Sequence, residues 1–142
     1  MKQVLETLIL NCLKVVSNWE RSVQILNLGE INEFVQQFLW LEFELIRINP
    51  QKVELHGFID EASKDKIIIT FSSVHMVCAT ISFTYEGKGT FISLAEKEQF
   101  ISINKAYDVT FGNNVFLLSN TNIEGDMFIV AKQVEMELCR KT

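Results

Sequence analysis

Hydrophobic and polar residues follow two different periods along the chain, and the change comes near residue 40. Before it, apolar residues recur every three or four positions, which is the spacing of one face of a helix. This spacing predicts one helix near the start of the chain and a second helix after Gly29. The two apolar faces consist of Val4, Leu5, Leu8, Ile9, Cys12, Leu13 and Val16, and of Ile31, Phe34, Val35, Phe38 and Leu39.

After residue 40 the period shortens to two, as in strands that bury one side. The segment 41–45 alternates apolar residues with Glu42 and Glu44. A turn around Pro50 and a second alternating run from Val53 then predict a β-hairpin. Further strands are expected at 67–72, within 74–85, at 91–92, at 109–111, at 115–118 and at 127–138.

One segment between the later strands has a mixed pattern. Ser93 and Glu96 stand three residues apart, which is the spacing of a capping box and predicts one or two helical turns up to Gln99. The apolar residues at 100–103 predict a return to extended structure. A hairpin turn is expected at 112–114, where Gly and Asn tolerate positive φ.

Together these elements predict one α+β domain over residues 1–142. Residues 1–40 are expected to be helical and residues 41–142 mainly antiparallel β. The helices cannot bury their apolar faces alone, and the sheet needs a cover on one side. We therefore expect two N-terminal helices packed on a curved antiparallel sheet of about six to eight strands.

Composition narrows the classes of partner. Lys and Arg number 13 against 18 Asp and Glu, for a formal charge of −5, which argues against a nucleic-acid-binding face. No apolar run approaches the length of a membrane span, and the first residues lack the features of a signal peptide. A cytoplasmic protein is expected, with its three widely spaced cysteines reduced.

The familiar chemical motifs are missing. His75 and Cys78 are three positions apart on a predicted strand and so point to opposite faces, and no metal site or cofactor is expected. The glycines at 87–90 lack the spacing of a phosphate-binding loop. Nothing in the sequence beside the cysteines would activate a thiol nucleophile. We therefore expect a non-catalytic protein.

Paired acidic positions on the strands suggest a binding surface instead. Alternating charges on a strand ordinarily mark its solvated side. If the hairpin and the last strand lie in one sheet, these positions form an acidic face that orients a basic protein partner. The predicted partner-binding residues are Glu42, Glu44, Glu54, His56, Glu135 and Glu137.

Large apolar residues add to this picture. Phe58 and Met76 fall on the less apolar sides of their strands and are candidates for an exposed patch. Trp40, at the junction of helix and strand, is expected in the core.

The β-rich part of the chain resembles the small immunity proteins of bacterial polymorphic-toxin systems. The segments that carry the resemblance are 71–74, 100–103, 109–111 and 127–138, whose apolar spacing is similar. The resemblance implies an acidic, single-domain cytosolic protein that binds and neutralises a toxin domain. It transfers no functional residue to this chain.

Two other functions are compatible with the pattern. A cone-shaped α+β domain could hold a small ligand or catalyse a reaction, with His56, His75, Glu54 and Tyr85 as the polar candidates. A homodimeric assembly subunit would instead use an exposed sheet edge or a helix face.

Overall fold

The computed structural model describes residues 24–25, 27–38, 40–59, 65–109, 112–119 and 126–139, with the backbone alone at 24–25. The first predicted helix, with its apolar face from Val4 to Val16, lies outside these residues. The described elements are β1 (Gln24–Ile25), α1 (Leu28–Val35), β2 (Leu41–Ile48), β3 (Lys52–Phe58), β4 (Lys66–Cys78), β5 (Ser82–Tyr85), β6 (Ile92–Leu94), α2 (Lys97–Tyr107), β7 (Asn114–Leu118) and β8 (Met127–Cys139).

The strands form one antiparallel sheet. Seven of them follow the order β5-β2-β3-β4-β8-β7-β6, and β1 pairs with β8 beyond the end of β7. The eight strands of the described part confirm the antiparallel α+β prediction and its strand number. The predicted hairpin is confirmed as β2 and β3, and the predicted last strand as β8.

The arrangement of the helices differs from the prediction of two N-terminal helices. In the described part α1 lies between β1 and β2, and α2 lies between β6 and β7. The prediction that residues 1–40 are helical is wrong at Gln24–Ile25, which pair with β8 as a strand. The apolar residues at 100–103, predicted as extended, are inside α2. Phe100 and Ile103 stand three apart and pack on the same cluster, which is a helical spacing within a window too short to separate the two periods. Neither described helix is long and apolar enough to span a membrane.

Capping groups explain where the helices begin. The Asn27 side chain accepts a hydrogen bond from the Gly29 N–H at 2.7 Å, at the start of α1. At α2 the Gln99 side chain accepts the Glu96 N–H at 3.0 Å. The capping pair is therefore Glu96 and Gln99, three residues later than the predicted pair Ser93 and Glu96. The helix accordingly begins at Lys97 and ends at Tyr107, later than predicted.

The sheet buries different residues on its two faces. Its inner face packs against Ile31, Phe34 and Val35 of α1. The opposite face carries a smaller cluster under α2, near the junction of β7 and β8. The inner strand residues include Leu41, Phe43, Leu45, Val53, Leu55, Ile67, Ile69, Phe71, Val134, Met136 and Leu138.

A side chain of α1 fixes the helix to the far edge of the sheet. The Asn32 amide oxygen accepts the N–H groups of Phe91 and Ile92 at 3.0 and 2.9 Å. Its amide nitrogen donates to the Ile92 carbonyl at 2.8 Å. The Asn32 amide thus donates to and accepts from the backbone of residues 91 and 92, as the backbone of a neighbouring strand would. The Gln36 side-chain amide donates a further hydrogen bond to the Gly89 carbonyl at 2.9 Å.

Strands β4 and β8 bend together near Ser73. This residue has a left-handed backbone (φ 55°), and the β4–β8 register shifts between Val74 and Met76. The Ser73 and Val74 N–H groups donate to carbonyls of the β2–β3 turn, both at 2.9 Å. In β8 both Ala131 and Val134 belong to the inner core, so the alternation of faces also slips by one residue there.

Two large apolar residues lie where the sequence did not place them. Trp40 was expected in the core but is 53% exposed, because it stands between α1 and the first buried residue of β2. Met76 was a candidate for an exposed patch but is partly buried against the cluster under α2. The helical stretch that covers it was predicted as extended.

Gly57 allows an aromatic ring to lie over strand β3. It is the cross-strand partner of Phe43, and a Cβ atom at Gly57 would stand 2.6 Å from the Phe43 ring. That ring also stacks on Phe91, with centroids 4.6 Å apart, and on Phe83 at 5.5 Å. The ring therefore has little space into which it could move.

We expect Gly57→Ala to lower the free energy of unfolding by about 1–3 kcal/mol, because the new methyl group overpacks the ring stack. Chemical denaturation would measure the loss. In a Phe43→Leu background the same substitution should cost less, since the obstructing ring is gone. Equal costs in both backgrounds would contradict the close approach of Phe43 to Gly57.

Candidate functional site

All six predicted partner-binding residues project from one side of the sheet, opposite α1. We call this surface the outer face. It comprises the alternate residues of β2, β3, the first half of β4 and the second half of β8 that do not enter the inner core. The six residues on it are Glu42, Glu44, Glu54, His56, Glu135 and Glu137.

Cross-strand pairing sets the neighbours of these residues. Glu44 lies opposite His56, and Glu42 lies opposite Phe58. Glu54 instead lies opposite Arg47, because a bulge between Leu45 and Arg47 shifts the register of β2. Strand β4 separates the hairpin from β8, so the acidic residues of β2 and β8 stand three strand spacings apart, about 14 Å.

Glu54 is the centre of a small polar network. Its carboxylate is 3.1 Å from His56 Nε2 and 3.5 Å from Arg47 Nη1. A carboxylate only accepts hydrogen bonds, so the proton of this pair is on His56 Nε2. The His56 side chain is 11% exposed and that of Arg47 is 61% exposed. The histidine bond is therefore shielded from water, and the arginine bond is not.

The outer face is less acidic than the sequence suggested. Among the described residues its five carboxylates share the surface with Arg47, Lys52 and Lys66. Arg47 was missed because strict alternation in β2 would have turned it toward the inner face. Glu42 and Glu44 are exposed and form no ion pair with any described residue. These two residues therefore present negative charge to solvent.

A less polar strip runs between the two acidic edges. We call Phe58, His56, Ile68 and Thr70 the central strip, since they occupy adjacent outer positions of β3 and β4. Phe58 is 40% exposed, in agreement with its expected place in a patch, while His56 and Thr70 are buried. Neither described helix packs on this strip. An aromatic group between charged margins is the usual composition of a protein interface.

The candidates for a catalytic or ligand site do not come together. His75 donates from Nε2 to the Tyr107 carbonyl at 3.2 Å, near α2. Tyr85 is in the inner core, where its hydroxyl donates to the Gly89 carbonyl at 2.5 Å and burial raises the pKa of its phenol. Of the four, only His56 and Glu54 touch. The inner face of the described sheet is packed with core side chains where the cone-shaped alternative needed a pocket.

Metal-ligating residues are also scattered. Within the described part of the chain, no three His, Cys, Asp or Glu side chains are grouped so as to hold a metal ion. Cys78 lies 4.0 Å from the Asp126 carbonyl, and Cys139 is buried. In the glycine-rich turn before β6, the Gly89 carbonyl accepts hydrogen bonds from the Tyr85 hydroxyl and the Gln36 side-chain amide.

Comparison of the chain with models of protein families, with curated proteins and with solved structures finds no match. The resemblance to immunity proteins therefore stays a prediction.

We expect Glu54→Ala to destabilise the fold by about 1–3 kcal/mol, because it leaves the buried His56 N–H without an acceptor. Arg47→Ala is the matched control. Its exposed ion pair with Glu54 should be worth less than about 1 kcal/mol. Chemical denaturation of both variants measures the difference. Equal losses would contradict the assignment of the network's stability to the histidine bond.

Proposed function

We propose that this chain is a non-catalytic cytoplasmic protein that binds a basic protein partner on its outer face. The observation that carries the proposal is the arrangement of charge around the central strip. Exposed Glu42 and Glu44 border it on β2, and partly buried Glu135 and Glu137 border it on β8. A partner with one apolar anchor and cationic groups on both sides of it would match this surface.

The acidic residues of the outer face would determine which partner binds and how fast it associates. Complementary charges increase the association rate and exclude acidic competitors, while the buried centre supplies most of the affinity. Glu42 and Glu44 are positioned for this role because no described cation neutralises them. Phe58 is the exposed aromatic group that would enter a pocket of the partner.

The class of partner that we favour is a toxin domain. Neutralising a toxin requires tight binding and no catalytic group, which suits a face that combines charge with an aromatic centre. The resemblance of the β-rich segments to immunity proteins supports the same class. Nothing in this proposal requires a metal or a cofactor.

We expect the tagged chain to capture a basic protein in equal amount from its native host, and expect rising salt to elute it. The double variant Glu42→Lys, Glu44→Lys should weaken this complex at least about tenfold at low salt. Titration calorimetry with the purified partner measures the change. A toxin is identified if the partner kills cells when expressed alone and is harmless with this chain.

The matched control is Glu30→Lys with Glu33→Lys on α1, which changes the net charge equally on the other side of the sheet. It should leave the affinity unchanged. If both double variants weaken binding alike, net charge and not the outer face is responsible. If the variant at Glu42 and Glu44 binds normally while remaining folded, the proposal is wrong.

One observation favours self-association as a second candidate function. Strand β5 pairs only with residues 41–44 of β2, and one further bond joins the Leu45 N–H to the Ile81 carbonyl at 2.7 Å. Beyond it, Ile46, Ile48 and Ile81 are 52%, 60% and 74% exposed. Antiparallel pairing of two such edges around Arg47 would set Ile46 of one copy against Ile48 of the other.

If this edge forms a dimer, sedimentation should show association that depends on concentration, and Ile48→Lys should abolish it. Ile101→Lys changes an isoleucine of similar exposure on α2 and should have no effect. A monomer at every concentration would reject this candidate. Loss of the dimer in the α2 variant alone would assign the contact to the helix face.

A further inference from the structure

A cleft opens where strand β8 lacks a neighbour on one edge. On that edge β7 pairs with β8 up to Ala131, and β1 pairs with it again from Met136. Residues 132–135 thus have no strand partner there in the described part of the chain. The opening holds a volume of about 370 Å³, at the lower end of the range for small-ligand sites. We call it the strand-gap cleft.

The bend of the sheet produces this gap. Residues 132 and 133 are the extra positions at which the face alternation of β8 slips, beside the left-handed Ser73 of β4. Asn114, the first residue of β7, closes one end by donating its amide to the Lys132 carbonyl at 3.1 Å. The start of α1 at Leu28 lines the cleft as well. A blocked end favours a small molecule over a long peptide running through.

The lining combines an apolar wall with one charge of each sign. Among the described residues four apolar side chains contribute, and Leu94, at 52% exposed, is accessible from solvent. The charged residues that line it in the described part of the chain are Lys132 and Glu135. Neither side chain forms an ion pair with a described residue, although Glu135 is partly buried. The apolar lining consists of Leu28, Leu94, Phe116 and Val134.

This combination restricts the ligand. An anion would satisfy Lys132 and bring like charge to Glu135, whereas a cation would do the reverse. A neutral apolar molecule would contact the apolar wall but form no bond with either charge. A small zwitterion with an apolar body serves all three parts of the lining that the described residues provide.

We propose that the strand-gap cleft binds a free hydrophobic amino acid. The ligand carboxylate pairs with Lys132 and its ammonium group pairs with Glu135. Its side chain lies against the apolar wall beside Leu94. The cleft shares Glu135 with the outer face, but Glu42 and Glu44, on which the test of partner binding rests, do not line it.

The test is a titration of the isotopically labelled full chain with L-phenylalanine, followed by amide NMR shifts. The shifts should concentrate at residues 132–135, Leu94 and Phe116. Two analogues each lack one charge, namely 3-phenylpropanoate and 2-phenylethylamine. Each should bind at least about tenfold more weakly, because one charged hydrogen-bond partner is missing.

Variants assign the two charges separately. Lys132→Gln and Glu135→Gln should each weaken L-phenylalanine binding about tenfold. Lys88→Gln and Glu42→Gln, on exposed residues outside the cleft, should leave it unchanged. The chemical shifts of the remaining amides show that each variant is folded.

Three results would overturn the proposal. One is the absence of shifts in the cleft at the solubility limit of the amino acid. Another is binding of either analogue as tightly as L-phenylalanine. The third is unchanged binding in both cleft variants. Failure of partner capture on the outer face would leave all three readouts intact, so the two proposals fail separately.

Discussion

The pairing of β4 with β8 is the constraint on which the rest of the structure depends. Each strand has 13 residues, and the two remain paired along almost their whole length. Every other strand reaches the sheet through one of them. Because side chains alternate along a strand, this one register decides which residues face α1 and which form the outer face.

The bend near Ser73 divides this paired unit into two regions. Before it in β4, the strand joins the hairpin and contributes Ile68 and Thr70 to the central strip. After it, the strand turns its outer side chains toward α2. The same bend opens the cleft beside residues 132–135, so the outer face and the cleft are adjacent and meet at Glu135.

The period of two was sufficient to predict the parts of the sheet with regular alternation. It predicted the hairpin, the last strand and the shared side of the six polar residues. The alternation gave wrong faces where the backbone is irregular. A bulge or a left-handed residue shifts the alternation by one position, and the sequence carries no signal of that shift. The bulge beside Arg47, and the bend at Ser73, belong to this class. The prediction for segment 100–103 was wrong for another reason. Two apolar residues three positions apart fit a helix, but so short a run does not distinguish a helix from a strand.

The attachment of α1 through Asn32 has a consequence for how the molecule opens. This side chain bonds backbone groups of Phe91 and Ile92, 59 and 60 residues away, where β6 begins. Four strands of the sheet order separate β6 from β2, which follows α1 in the chain. The helix can therefore complete its contacts only after distant parts of the chain have assembled. We infer that α1 and the segment 91–92 exchange their amide hydrogens with solvent in one concerted opening, as a single cooperative unit.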